Sequence, residues 1–323
     1  MNEPILSLQD LSIHYSTFDG AVKAVDRTSL DLPTGQVVGL VGESGCGKST
    51  LGLSILRLVR PPGGIAGGKI IFEGEDLVTK KESEMRSIRG SRIAMVFQDP
   101  MTSLNPLIRI DRHFLETIAS HENGGKENHA MERIETLVER LGISRTRLHE
   151  FPHQLSGGMR QRIMIGLGLI LNPSLIIADE PTNSLDVIVE AHFLDLLNDL
   201  KEEFNLTILL ITHNMGIVAE LADRVAVMYA GTIVEEGDVY DLFKNPLHPY
   251  TRGLLASIPN IKIEQTSLHT MSGSPPNLID PPAGCSFHPR CAHAMDICRE
   301  REPRGITSDG RRVECFLYGE GAA

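Results

Sequence analysis

The feature that most constrains this chain is a glycine-rich octapeptide, GESGCGKS, at residues 42–49. The apolar run at 36–41 before it predicts a buried strand, and the run at 49–59 after it predicts a helix. Glycines in such a loop let the backbone turn its N–H groups toward phosphate oxygens, and the following helix adds its positive dipole end. The alternative, a glycine-rich turn without a ligand, is disfavoured because strand and helix flank the loop as phosphate binding requires.

Two residues carry the chemistry of this loop. Lys48 would place its charge on the β- and γ-phosphates of a nucleotide, and the Ser49 hydroxyl would bind Mg²⁺. The Cys46 thiol could be made reactive by the helix N-terminus, but the favoured interpretation is a small residue that fits the loop. The residues predicted to bind the nucleotide here are Gly42, Glu43, Ser44, Gly45, Cys46, Gly47, Lys48, Ser49 and Thr50.

The remaining periodicity predicts an α/β fold with a parallel sheet. Further buried strands are predicted at 92–98, 174–178, 207–212 and 224–229, with helices at 130–141 and 188–203. Alternating polarity at 5–35 and 68–78 predicts an antiparallel β subdomain, and turn signals around amphipathic runs predict a helical subdomain at about 99–172. Two proline pairs in a polar stretch suggest a linker, so we divide the chain into residues 1–257 and a small C-terminal extension at 258–323.

Candidate catalytic residues follow the predicted strands at their carboxyl ends, the edge where open α/β sheets bind ligands. Asp179 and Glu180 end one apolar strand, and such adjacent carboxylates are costly to desolvate unless a cation offsets their charge. Asp179 would bind Mg²⁺, and Glu180 would orient or deprotonate the attacking water. His213 could reach a γ-phosphate, and Gln98 could sense Mg²⁺ and water; a purely structural role is the alternative for each.

A second anion-binding helix end is predicted at LSGGM, residues 155–159. Ser156 has the character of an N-cap, and the two glycines after it would expose the N–H groups of the first turn. One explanation is a head-to-tail dimer in which each such helix meets the partner's γ-phosphate. An ordinary capped helix explains the residues equally well.

Composition excludes some classes of protein. Lys and Arg number 31 against 42 Asp and Glu, and the net charge of −11 argues against nonspecific nucleic-acid binding. No apolar run approaches the ~18 residues that span a bilayer, and the N-terminus lacks a signal pattern, so we expect a cytoplasmic chain. Four of five cysteines crowd the C-terminus, which in a reducing compartment favours metal ligation over disulfides: Cys285, Cys291, Cys298 and Cys315.

Taken in order, these motifs resemble those of ABC ATPases. The resemblance identifies the octapeptide as Walker A, Gln98 as the Q-loop, 155–159 as the signature, Asp179 and Glu180 as Walker B, and His213 as the switch. It makes Tyr15 the aromatic residue that stacks on adenine, with Phe18 as the competitor. The signature residues that would complete the partner's ATP site are Leu155, Ser156, Gly157, Gly158 and Met159, and the D-loop is Ser184, Leu185 and Asp186.

More specifically, the chain resembles the ATP-binding subunits of dipeptide and oligopeptide ABC importers. The resemblance runs through FPHQLSGGMRQR at 151–162, ADRVAVMYAGTIVEEG at 222–237, NPLHPYT at 245–251 and PPAGCSFHPRC at 281–291. It implies an ATPase at the cytoplasmic face of the membrane, paired with a second ATPase subunit, two permease subunits and, indirectly, a solute-binding protein. Alternatives are the same machine importing a nickel chelate, an oligosaccharide or an antimicrobial peptide, or a soluble ABC ATPase without a transport role.

The spacing of the clustered cysteines does not by itself select a metal. Four thiolates can hold Zn²⁺ or a [4Fe–4S] cluster, and unligated thiols are a third alternative. The resemblance implies a [4Fe–4S] cluster at these cysteines, and we adopt that expectation, with Zn²⁺ as the alternative, beside the expected cofactors ATP and Mg²⁺.

Overall fold

The computed structural model describes residues 3–97, 103–122, 127–183, 186–257, 271–308 and 311–319. Its contacts divide the chain into two units, one that joins Met1–Thr79 with Leu210–Ala323 and one that holds Lys80–Leu209. Within the described ranges, every helix is too short or too polar to cross a bilayer. The predicted boundary at 258 borders residues outside these ranges, and the division into 1–257 and 258–323 stays a prediction.

The first unit contains the predicted antiparallel sheet. Its strands, in the order β2-β1-β4-β5, are β1 (Leu6–Thr17), β2 (Gly20–Leu32), β4 (Gly63–Phe72) and β5 (Glu75–Asp76). The central strand β1 pairs antiparallel on both sides, with Leu6 opposite Leu32 and Phe72. Leu6, Leu8 and Ile13 are buried, as a one-sided hydrophobic face requires.

A second set of strands in the same unit contains the strand that leads into the glycine loop. In the order β11-β12-β10-β9-β3 these are β11 (Ile306–Ser308), β12 (Arg311–Val313), β10 (Thr232–Asp238), β9 (Arg224–Tyr229) and β3 (Val37–Val41). Strand β3 is buried at every position and pairs parallel with β9, which is typical of the centre of an α/β sheet. The helices of this unit are α1 (Lys48–Ile55), α7 (Met215–Leu221), α8 (Val239–Lys244), α9 (Pro249–Ala256) and α10 (Asp296–Glu300).

The second unit is mainly helical, as predicted for much of it. Its strands β6 (Ile93–Val96) and β7 (Leu175–Asp179) pair parallel. Strand β8 (Thr207–Ile211) contains the division between the units. The helices are α2 (Glu82–Ile88), α3 (Ile110–Ala119), α4 (Glu127–Arg140), α5 (Gly157–Leu169) and α6 (Val187–Phe204).

Most predicted elements occur within two or three residues of their predicted bounds. The clearest difference is the helix predicted at 49–59, because α1 ends at Ile55. Arg57 adopts the left-handed φ of 52°, and its N–H bonds the Ser54 carbonyl at 2.9 Å, which closes the helix. The period of apolar residues continues past this point, so it could not reveal where the helix ends.

Candidate nucleotide-binding site

The backbone of the predicted phosphate loop requires its glycines. Gly42 and Gly47 have φ of 155° and 109°, and a Cβ at either would lie 2.2 Å from the Met228 carbonyl oxygen or 2.1 Å from that of Ala24. No larger residue fits between the loop and this backbone. The loop is also held from outside, because the Gly231 N–H donates to the Cys46 carbonyl at 3.0 Å.

Lys48 is folded back onto its own loop. Lys48 is only 7 % exposed. Its Nζ donates to the carbonyl oxygens of Gly42 at 2.8 Å and Glu43 at 3.0 Å. These bonds satisfy a buried ammonium that would otherwise be costly to desolvate. Burial raises the pKa of the Cys46 thiol against the opposing charge of Lys48, which favours the interpretation of a small residue that fits the loop over a reactive thiol.

Tyr15 lies beside the helix that follows the loop. Its hydroxyl is 3.5 Å from Oγ1 of Thr50, and its ring leaves no room for a side chain at Gly63, where a Cβ would lie 2.4 Å away. Phe18, the competing aromatic residue, is fully exposed. The structure therefore brings Tyr15 to the start of α1.

The residue pair Thr212 and His213 lies at the same strand edge as the loop. The Thr212 N–H donates to the carbonyl of Leu40 in β3 at 3.1 Å, one residue before β3 ends. Thr212 is buried and its hydroxyl accepts from the Asn214 N–H at 3.0 Å, while His213 is exposed. Asn214 then caps α7 through the Gly216 N–H. His213 therefore follows the carboxyl end of β8, where the sequence predicts it.

In the second unit, the two adjacent acids end strand β7 as predicted. Asp179 is 6 % exposed, and Glu180 has the left-handed φ of 48°, which is uncommon outside glycine and asparagine. The buried Gln161 of α5 donates from Nε2 to the carbonyl oxygen of Pro181. The turn that follows the acids is therefore attached to the signature helix.

Ser156 is the N-cap of α5, as the sequence predicts. Its side chain accepts from the Met159 N–H at 3.3 Å, and Gly157 has open space around it. Gly158 packs against α6, because a Cβ there would lie 2.7 Å from Cγ1 of Val189. The signature segment thus combines an exposed N-terminal turn with the buried anchor Leu155.

Of the predicted D-loop, only Asp186 is described, and its side chain caps α6 by accepting from the Val189 N–H at 3.0 Å. Ser184 and Leu185 lie outside the described residues, and so does Gln98. The predictions made for these three residues remain predictions.

The contacts of Glu43 were missed by the sequence analysis. Its carboxylate is bound by both terminal nitrogens of Arg290, at 2.7 and 2.9 Å, and its N–H donates to the Tyr250 hydroxyl at 2.9 Å. This hydrogen bonding to Glu43 raises the pKa of Arg290, whose guanidinium is charged. The only available sequence signal was that Tyr250 and Arg290 lie in the NPLHPYT and PPAGCSFHPRC segments.

An aromatic cluster packs the C-terminal region against the rest of the unit that contains the glycine loop. The Phe287 ring lies 5.2 Å from Tyr229 and 5.5 Å from Tyr250, both at steep interplanar angles typical of aromatic packing. His248 is part of this cluster, and burial lowers its pKa to about 3, so it is neutral and accepts the Tyr250 N–H on Nδ1.

The four clustered cysteines line one small cavity of about 20 Å³, together with His248 and Phe287. All four thiols are free. Cys285 donates its N–H to the Cys298 carbonyl at 2.9 Å, and burial, followed by the neighbouring thiols, raises the pKa of Cys285 to about 11. Among the described residues, no group of three or more His, Cys, Asp or Glu side chains has the arrangement of a metal site.

Comparison with known families matches two models to the chain. Residues 25–183 match the family described as ABC transporter, and residues 234–298 match the C-terminal region of oligopeptide/dipeptide transporters. The first match contains the glycine loop and both acids of β7. The second contains Tyr250, Phe287 and Arg290.

Curated relatives match over nearly the full length. A dipeptide transport ATP-binding protein, DppD, of Caldanaerobacter subterraneus subsp. tengcongensis is 43 % identical, with 98 % of each chain covered. An oligopeptide transport ATP-binding protein, AppD, of Bacillus subtilis is 46 % identical, covering 99 % of this chain and 98 % of the relative.

Solved structures give the same fold. A dimeric bacterial ABC transporter cassette, MJ0796, superposes with a TM-score of 0.65 at 25 % identity, covering 72 % of this chain and 98 % of the cassette. CbiO1 from Clostridium perfringens, part of the complex cbiONQ, also gives 0.65 at 26 % identity, covering 76 % and 92 %. The predicted α/β fold of this ATPase class is confirmed; the C-terminal extension as a separate element is not tested.

Proposed function

The chain belongs to the ABC transporter family, within its oligopeptide and dipeptide branch, and from this premise we propose that it powers the import of peptides. It is an ATPase whose hydrolysis of ATP is coupled to transport, and such ATPases take ATP with Mg²⁺. The observation that carries the proposal of peptides is the match of residues 234–298 to the C-terminal region of oligopeptide/dipeptide transporters.

The glycine loop binds the triphosphate in this proposal. Lys48 exchanges its two loop carbonyl partners for the β- and γ-phosphate oxygens, which are stronger, charge-assisted acceptors. Tyr15, beside Thr50, offers its ring to the adenine base. Ser49, Asp179 and Gln98 are the residues proposed to hold Mg²⁺, which when bound neutralises charge that develops on the phosphates.

Glu180 accepts the proton of the attacking water, and His213 keeps the γ-phosphate in place. The proposal for Glu180 is supported by its position directly after Asp179 and by its left-handed backbone, since strained backbone recurs at functional sites. The support for His213 is its place at the end of β8, beside the strand that leads into the glycine loop.

A second ATPase subunit completes each site. A peptide importer of this branch includes a partner ATPase and permease subunits, and the chain carries a capped, exposed helix start at Ser156. We place that helix start on the partner's γ-phosphate, with Gly157 and Gly158 exposing N–H groups to it. Two permease subunits and, through them, a solute-binding protein complete the assembly, with the ATPases at the cytoplasmic face.

The proposal is tested by reconstituting the chain with its partner ATPase, permeases and solute-binding protein in proteoliposomes. We expect labelled dipeptides or oligopeptides to accumulate in an ATP-dependent manner and to stimulate ATP hydrolysis. Lys48→Ala should abolish both signals. Accumulation of a nickel chelate or an oligosaccharide, with no response to peptides, would contradict the peptide assignment while leaving the ATPase intact.

For the cysteines we propose a [4Fe–4S] cluster. Four free thiols around one cavity support ligation, and the resemblance to ATP-binding subunits of peptide importers favours the cluster over Zn²⁺. The residues proposed to hold it are Cys285, Cys291, Cys298 and Cys315.

Metal analysis separates the alternatives. Chain purified without oxygen should be brown and contain about four irons. Cys298→Ser should lose the iron, whereas Cys46→Ser, a matched change at the fifth cysteine, should retain it. Colourless protein with one zinc per chain would contradict the cluster.

A further inference from the structure

The glycine loop contains a carboxylate where a triphosphate must bind. Glu43 is the second residue of the octapeptide, and its own carbonyl accepts from Lys48 Nζ, the group proposed to bind phosphate. A free carboxylate so close to phosphate oxygens would repel them, and partial burial would reduce the screening of that repulsion by water.

Arg290 compensates this charge with well-defined geometry. Two parallel N–H···O bonds of 2.7 and 2.9 Å join its guanidinium to Glu43, and its Nε donates to the Ser272 carbonyl at 3.2 Å. The Arg290 side chain is only 5 % exposed, so the pair is shielded from solvent on the arginine side. A bidentate pair of this kind neutralises the charge of the carboxylate and also fixes the orientation of the carboxylate group.

Arg290 is itself held by contacts within its own unit. It ends the 3₁₀ turn His288–Arg290, directly after Phe287, which packs on Tyr229 and Tyr250. Its guanidinium carbon lies 5.8 Å from the centre of the Tyr229 ring, within the range of a cation–π contact. The Tyr250 hydroxyl meanwhile accepts the N–H of Glu43. The C-terminal region therefore holds both the backbone and the side chain of one loop residue.

We propose that Arg290 is a positioning residue for ATP binding, which neutralises Glu43 and turns its carboxylate away from the phosphates. The C-terminal region then completes the nucleotide site rather than merely following it in the chain. This inference rests on the proposed role of the glycine loop in binding ATP.

The test measures the dissociation constant of ATP for the full chain by titration calorimetry, at low and high salt. Arg290→Met should weaken binding by about tenfold at low salt, because it leaves Glu43 uncompensated, and by less at high salt, where the repulsion is screened. Removing the carboxylate as well, in Glu43→Gln with Arg290→Met, should restore most of the lost affinity.

Two controls make the result decisive. Arg312→Met removes another arginine of the C-terminal region, paired with Glu314 at 2.7 Å, and should leave ATP affinity unchanged. Lys48→Ala should lose ATP binding. If Lys48→Ala binds normally, the proposed role of the loop is wrong; if it fails to bind while Arg290→Met matches Arg312→Met, the inference alone is wrong. Weak binding by Arg290→Met that Glu43→Gln does not rescue would show a packing role and would also overturn it.

Discussion

At the scale of single residues, Glu180 has an unfavourable backbone conformation and directly follows the buried Asp179. Its φ of 48° costs about 1–3 kcal/mol for a residue with a Cβ, a cost that surrounding contacts must offset. Contacts on the following residues do so: the Asn183 N–H donates to the Glu180 carbonyl at 3.3 Å, and Gln161 binds Pro181. The backbone that carries the Glu180 carboxylate is thus held by the turn that follows β7.

Replacing that carboxylate by an amide tests its proposed chemistry. Glu180→Gln keeps the size of the side chain but replaces the carboxylate by a neutral amide that cannot accept a proton, so ATP should bind normally while turnover falls by ~10² or more. Steady-state ATPase assays with an independent binding measurement check this. Glu202→Gln, on an exposed position of α6, is the matched control and should hydrolyse ATP at the normal rate. Turnover near normal in Glu180→Gln would remove Glu180 from the mechanism.

Residue patterns predicted where the motifs lie on strands and helices but not the contacts between distant residues. Lys48, Asp179 and Ser156 occupy the strand or helix ends that their spacing predicts. The pair of Glu43 and Arg290 spans 247 positions, and neither residue lies in a pattern that specifies the other. Local periodicity carries no information about such a pair, because tertiary packing alone brings them together.

At the scale of elements, helix starts were more predictable than helix ends. Four helices are capped by a side-chain oxygen, and residues of these types are preferred at the start of a helix. The four capping residues are Ser156, Asp186, Asn214 and Asp238. The end of α1 at Ile55 depends on the left-handed backbone of Arg57, an arginine that gives no such signal.

The cap at Ser156 is predicted to have two separable roles. Ser156→Ala should lower the free energy of unfolding by ~1 kcal/mol, and so should Asp238→Ala at the start of α8, but only the first should reduce ATPase activity. Ser156→Asp is the sharper change, because aspartate caps as well as serine yet would repel the partner's phosphate. Thermal unfolding and ATPase assays measure the two effects. Full activity in Ser156→Asp would show that Ser156 only caps α5.

At the scale of the whole molecule, the proposed catalytic residues are distributed over both units. The glycine loop and His213 belong to the unit formed by both chain ends, whereas Asp179, Glu180 and Ser156 belong to Lys80–Leu209. The alternation of strands and helices predicted the fold class. It could not predict this division, because residues 210–319 return to the unit that residues 3–79 begin.

Sharing of sites between two chains predicts complementation. Lys48→Ala and Ser156→Asp should each be inactive alone, since each damages both sites of a dimer of identical chains. Mixed together, they form dimers with one intact site, so ATPase activity should reappear. The assay also requires activity per chain to fall on dilution. ATPase activity per chain that does not change with concentration, in the absence of a second ATPase, would contradict the shared site. If the transporter pairs two different ATPases, one variant is placed in each subunit.

The strand that leads into the glycine loop has a consequence for biosynthesis. Strand β3 pairs with β9, and the Gly231 N–H binds the Cys46 carbonyl. At ordinary translation rates, β9 and Gly231 are synthesised roughly ten to thirty seconds after residue 49. Arg290 is synthesised later still. The nascent chain therefore carries an unfinished ATP site for most of its time on the ribosome. A polypeptide that ends between residues 238 and 289 would contain every proposed hydrolytic residue but lack Arg290, so we expect it to bind ATP more weakly than the full chain.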